Sequence, residues 1–234
     1  MMMSMKLSAV AGLMAMTLTA SSAYAADKAK LDERLEAAKT TLDEVMMTPD
    51  KGIPQEILSD ATCVAVIPGF KKAAFVVGAD YGQGVVTCKT GHGWSAPAFV
   101  QMTGGSFGFQ IGGSSTDFVM IAVNDKGMQD LLKSKFKIGA DAAAAAGPVG
   151  RNANAGTNWK LQSELLTYSR SKGLFAGVAL DGNAVSQNQN DTRTFYGADI
   201  PFATILKGTT PVPDPAKAFV RTVAKYFVQS KKTS

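Results

Sequence analysis

The chain has 234 residues, with 24 Lys and Arg against 19 Asp and Glu, a net charge of +5, one histidine and two cysteines. A single histidine excludes a histidine-rich metal site, and two cysteines cannot supply the four thiolates of an all-cysteine zinc site. The cations are dispersed, with no basic run interleaved with aromatics, so nucleic acid is not an expected partner.

Met1 to Ala25 read as a secretory signal. Lys6 supplies the positive start, Leu7 to Ala20 the apolar centre, and Ala23-Tyr24-Ala25 the cleavage pattern. The apolar centre is shorter than the ~20 residues of a spanning helix, and Thr17 and Thr19 interrupt it. Cleavage is expected to leave 26–234 as a single domain, with a helical segment at 26–60, a β-rich core at 61–207, and a Pro spacer with a terminal helix at 208–234. The net charge then falls by one, since Lys6 is the only charged side chain removed. With no cysteine at the cleavage point, a periplasmic or secreted product without an acylated amino terminus is expected.

Leu31, Leu35, Ala38, Leu42 and Val45 recur at helical spacing, predicting an amphipathic helix from Asp27 to about Met47, stopped before Pro49. A short helix follows Pro54. Glycine-punctuated β-rich runs come next: Cys63–Ile67, Ala73–Val77, Gly84–Cys88, Ala98–Met102, Ser106–Ile111 and Phe118–Val123. Asn124 is placed to cap a helix over Asp125 to Lys135.

Read as a simple meander, the first three runs put Cys63 and Cys88 on outer strands roughly 10 Å apart. A disulfide needs Cα atoms within about 7 Å, so a bridge would require another strand order or a closed barrel. Two small apolar core residues are the alternative.

Gly156 to Tyr168 reads as partly helical, Gly173 to Leu180 as a strand, and Asp181 to Thr192 as a polar loop. After Pro211, Pro213 and Pro215, Ala216 to Gln229 forms a second amphipathic helix. Phe219, Val220, Val223 and Phe227 line one face of it, while Lys217, Arg221 and Lys225 line another. Such a helix either lies in an anionic interface or docks on the domain with its cations in water.

A Ser-His-Asp arrangement would have to use His92, which sits between two glycines in an expected turn, a poor place to hold an imidazole. The glycine-rich stretches 78–84 and 147–151 lack the Lys-Ser/Thr pair of a phosphate loop. Lys71, Lys72, Arg151, Lys160, Arg170 and Lys172 stand beside glycine turns. If the fold gathers them, they make a phosphate-facing patch.

Val66-Ile-Pro-Gly-Phe70 followed by Lys72, Trp94-Ser-Ala-Pro97, Ser115-Thr-Asp117, Gly139-Ala-Asp141, Gly147-Pro-Val-Gly-Arg151 and Ser169-Arg-Ser-Lys-Gly-Leu-Phe-Ala-Gly177 together resemble the SYLF domain family. The resemblance runs from about Leu31 to Phe219. The family is a lipid-binding module that in fungi and animals also engages actin and endocytic membranes. It implies a strand at Ala142–Ala146, where alanine alone would favour helix. Actin and phosphoinositides are not expected as partners of an exported chain.

The expected fold is α+β, a curved antiparallel sheet or partly closed β-barrel flanked by the terminal amphipathic helices. The expected function is non-enzymatic binding of anionic phospholipid headgroups at a membrane surface, without cofactor or metal, through Lys71, Lys72, Arg151, Arg170, Lys172, Lys217, Arg221 and Lys225. Two other readings stay open: an envelope protein that binds protein partners, and a lipid- or glycan-acting hydrolase using Asp117, Asp141 or His92.

Overall fold

A computed structural model of the chain describes residues 27–48, 52–75, 77–107, 112–148, 164–170, 180 and 182–229. Helix α1 spans 27–46 and α2 Gln55–Asp60. Strands β1 (Cys63–Phe75), β2 (Val77–Thr90), β3 (Gly93–Trp94), β4 (Ala98–Phe107) and β5 (Gly112–Ala122) follow. Next come α3 (Asp125–Leu132), β6 (Lys135–Lys137), β7 (Ala144–Ala146), β8 (Leu165–Arg170), β9 (Ala184–Gln187), α4 (Gln189–Tyr196) and α5 (Phe202–Leu206). A 3-10 turn, Asp214–Ala216, leads into α6 (Lys217–Gln229).

The strands form one strongly curled open sheet, a half-barrel, in the order β6-β9-β4-β2-β1-β5-β8-β7, with β3 paired to β2. Among the described residues the named strands pair antiparallel except β7 with β8, so the Ala-rich segment is a strand as expected. It is held at the sheet end by parallel pairing that no alanine run announces. The α+β class and the curved sheet flanked by terminal helices agree with the expectation.

Strand alternation sorts the apolar residues onto two faces. On the first, Val64, Val66, Val85, Val119, Ile121 and Leu166 pack under α1, α2 and α6 through Leu35, Leu42, Ile57, Phe219, Val223 and Phe227. On the second, Ala65, Ile67, Phe70, Val86, Met102, Phe118 and Met120 pack against α3 and α5. The alternation slips once, at a bulge in β1 between Val66 and Lys71. Gly69 takes φ 58°, and its N–H donates to Asp117 Oδ1 at 2.8 Å. As a result Ile67 and Phe70 face the same side although they are three positions apart in sequence, because their partners on β5, Phe118 and Thr116, are only two apart.

Three expectations are corrected. Cys63–Ile67 and Ala73–Phe75 belong to one long strand, because the bulge lets β1 continue through Pro68-Gly69, and Val77, expected to end the second run, instead begins β2. Cys63 and Cys88 are therefore directly opposite on a single hairpin, and they form a disulfide with Cα atoms 4.0 Å apart. The stretch 181–192, expected to be a loop, contains β9 and the start of α4. Asn188 caps that helix by accepting from the Asp191 N–H, and β9 gains its ladder from β4 and β6. Leu165 to Tyr168, expected to be partly helical, lie in strand β8, paired with β5. Residues 156–163 of that stretch, and the strand expected at 173–180 apart from Leu180, lie outside the described residues.

The terminal helices form as their periodicity predicts, and Asn124 caps α3 by accepting from the Gly127 N–H at 2.8 Å. Among the described residues, no helix is long and apolar enough to cross a membrane.

Candidate functional site

Lys71 and Tyr81 are cross-strand partners on the first face of the β1–β2 hairpin, just beyond the bulge. They border an open groove of about 360 Å³ between the hairpin and the amino-terminal half of α1, together with Lys30, Glu33, Arg34 and Gln83. Lys71 is exposed, and Tyr81 is 48% exposed, one of two large apolar side chains left in solvent among the described residues. A tyrosine beside a lysine on an open surface offers an amphipathic ring and a point charge to the same ligand.

The groove is braced by Arg34. Its guanidinium pairs with Asp191 and donates to Gln83 Oε1 at 2.8 Å, and it lies 5.7 Å from the Phe99 ring centroid. Asp191 also accepts from Asn188 Nδ2 at 2.6 Å. Arg34 is thereby committed to joining α1, β2 and α4. Lys30 pairs with Asp27 at 3.1 Å, both well exposed, a contact too solvated to hold the ammonium tightly. Lys30 and Lys71 are therefore the cations a ligand can recruit.

The other residues expected at a site are spread over the molecule. Lys72, next to Lys71, faces the opposite side of the sheet, 3.6 Å from Asp80 Oδ2. Arg170 is paired with Glu44 of α1, so a glutamate there would oppose a carboxylate and disturb folding along with any binding. Lys217 is bonded to Asp214 at 2.5 Å, and Lys225 stands 4.7 Å from the Tyr226 ring centroid. Arg221 is exposed on the same helix. That helix meets α1 where Tyr226 donates to Asp43 at 2.7 Å, thirteen residues and so about 20 Å along the axis from Lys30. Arg151 and Lys172 lie outside the described residues.

The candidate hydrolytic groups do not converge. Asp117 holds the Gly69 N–H, and Asp141 Oδ2 accepts the Lys137 N–H at 2.7 Å. His92 is exposed in the β2–β3 turn. Ala122 is level with Cys63, and Asp117 is five residues, about 17 Å, down the strand from it, whereas His92 lies beyond Cys88 in the other direction.

Burial first, and then the bond to Asp43, raises the Tyr226 phenol from 10.0 to about 12. Its folded pKa lies above the unfolded value, so the stability this contributes is complete below pH 10 and is lost as pH rises towards 12. Urea unfolding at pH 8 and pH 11 is expected to show a drop that is smaller in Tyr226→Phe. An equal drop in both proteins would remove Tyr226 from the alkaline response.

A family model described as "Ysc84: Las17-binding protein actin regulator" matches residues 103–226. The chain belongs to this family, the SYLF domain family. It is 35% identical over 171 residues to human "SH3 domain-containing YSC84-like protein 1", covering 72% of this chain and 50% of that protein. It is 34% identical over 176 residues to "Protein YSC84" of Saccharomyces cerevisiae, covering 74% and 37%. The Schizosaccharomyces pombe "SH3 domain-containing protein PJ696.02" is 34% identical over 173 residues, with 72% and 40% covered. The chain thus spans half or less of the length of these curated relatives. Membership in a binding-domain family supports a non-enzymatic binding role.

Several SYLF motif residues have structural duties here. Asp117 closes the bulge of the Val66-Ile-Pro-Gly-Phe70 segment. Trp94 packs edge-on against Phe227 of α6, with centroids 5.3 Å apart, and Pro97 O accepts from Tyr196 at 2.7 Å. Lys30 and Tyr81 were missed by sequence reasoning. The i, i+4 pair Lys30 and Arg34 gave a faint signal, but only the strand register brings Lys71 and Tyr81 beside them.

Proposed function

We propose that this SYLF chain binds anionic phospholipid surfaces without chemistry, working in the cell envelope after export. The observation that carries this reading is the exposed Lys71–Tyr81 pair on an open groove also bordered by Lys30. The ammonium groups meet headgroup phosphates while the Tyr81 ring lies at the boundary between headgroup and acyl chain, with its hydroxyl in water. A basic side chain near an anionic surface contributes about 1 kcal/mol, so reversing one charge removes about 2 kcal/mol, roughly thirtyfold in affinity. Lys71→Glu is expected to weaken binding to anionic vesicles by about that factor with an unchanged thermal midpoint. Unchanged vesicle binding would remove the groove from the account.

The family model's own description favours a second reading, in which the exposed face docks a protein. Actin and a Las17-like partner then become candidates, against the expectation drawn from export. Pull-down with purified actin, in the presence and absence of anionic vesicles, separates the two: retention by actin alone would move the function to protein binding.

A further inference from the structure

On the second face, one row across β1, β2 and β4 holds Lys72, Asp80 and Gly104, each the register partner of the next. Asn183, just ahead of β9, fills the space over the glycine. Its Oδ1 lies 2.0 Å, and Asp80 Oδ2 3.3 Å, from the point a β-carbon on Gly104 would occupy. Position 104 is glycine because the amide needs that room. Asn183 Nδ2 donates to Leu180 O at 3.0 Å, which fixes the amide so that its oxygen, not its nitrogen, faces the carboxylate.

Two acceptors are thus set against each other in a buried place. Asp80 is 6% exposed and Asn183 3%, and among the described residues neither Asp80 Oδ1 nor Asn183 Oδ1 receives a hydrogen bond. A buried acceptor without a donor is costly, and so is one carboxylate oxygen left bare. Lys72 does not relieve this. Its ammonium approaches only Asp80 Oδ2, at 3.6 Å, beyond hydrogen-bond length, and stands 5.9 Å from the Phe70 ring centroid with its side chain 36% exposed.

A carboxylate and an amide oxygen facing one another ask for a cation rich in N–H donors. A calcium-type ion wants six or more oxygens and would sit beside the Lys72 charge, whereas a primary ammonium offers three donors to a few acceptors. We propose that Asp80 and Asn183 bind the primary ammonium of an aminoalkyl phosphate, with Lys72 taking the phosphate. The ligand's two charges then match a carboxylate and an ammonium that are neighbours in register. The same chemistry is carried by an ethanolamine phospholipid headgroup and by free phosphoethanolamine. The site is on the opposite face from the Lys71 groove and does not depend on it.

The test is a calorimetric titration of the full chain with phosphoethanolamine, with phosphocholine, whose quaternary ammonium has no N–H, and with glycerol 3-phosphate, which has no ammonium. Phosphoethanolamine is expected to bind at least tenfold more tightly than either, and Asp80→Asn to abolish the preference. That variant keeps the shape of the side chain and replaces one of two buried acceptors by a group that can donate, so its thermal midpoint is not expected to fall. Lys72→Gln should weaken phosphoethanolamine and glycerol 3-phosphate alike. A parallel sedimentation compares vesicles of phosphatidylethanolamine mixed with phosphatidylcholine against phosphatidylcholine alone. Excess retention on the mixed vesicles assigns the lipid source, and a response to the free compound alone assigns the soluble one. Equal binding of all three compounds, binding of none, or a preference that survives Asp80→Asn overturns the proposal. None of these vesicles is anionic, so failure here is separate from failure of the Lys71 groove.

Discussion

Replacing Cys63 and Cys88 together with alanine is expected to lower the unfolding free energy by about 3 kcal/mol. The two residues are 25 apart in sequence and opposite each other in the hairpin, so the bridge closes a loop of that length in the unfolded chain. Chain-entropy arguments give about 3 kcal/mol for a loop of this size, and the native pairing needs no displacement of strands to form it. Both cysteines are buried on the second face, so reductant reaches the bridge only when the hairpin opens. The measurement is urea unfolding of both proteins with and without reductant. Wild type should fall to the variant's stability when reduced, while the variant should not respond to reductant. A variant as stable as the oxidised protein would show that the bridge adds nothing to the fold.

Phe70→Ala is expected to be of similar or larger cost, about 3–5 kcal/mol. Phe70 is fully buried and meets Phe118 edge-on with ring centroids 5.3 Å apart. Its ring also fills the place of an absent side chain on β2, because a β-carbon on Gly82 would lie 2.7 Å from Phe70 Cδ2. Truncation therefore leaves a cavity against a glycine that cannot fill it. Gly82→Ala does not offer a way to refill it, because its β-carbon would also lie 2.8 Å from Ile67 Cγ2, so Gly82→Ala is expected to destabilise. A Phe70→Ala midpoint within error of wild type would contradict the packing described for this face.

These two cases also show what could be read from the chain. The helices were legible because α1 and α6 carry apolar residues at helical spacing, and Asn124 announces the start of α3. The long hairpin was not. Gly69, Gly82 and Gly84 read as breaks in one dimension. In the fold Gly69 makes the bulge, while Gly82 and Gly84 yield space to Phe70 and Ile67. With the strands cut at those glycines, the cysteines fell on separate outer strands and their pairing was lost. The segment 184–196 was hidden by its polar composition, since β9 and α4 draw their stability from β4, β6 and the Asn188 cap.

The candidate site was legible only in part. Lys71 was named, but so was Lys72, which the alternation of the strand sends to the other face. Arg170 looks like a free cation in sequence and is held by Glu44 from 126 positions earlier, a pairing no local pattern contains. Tyr81 carried no motif at all. Its role beside Lys71 follows from the register of β1 with β2.

Co-sedimentation of the chain with neutral and anionic phospholipid vesicles, at low and high salt, tests the central claim most directly. The account predicts retention that requires anionic lipid, fades as salt rises, and falls sharply in Lys71→Glu. Absence of retention on anionic vesicles at low salt, or retention indifferent to both salt and Lys71, would contradict it.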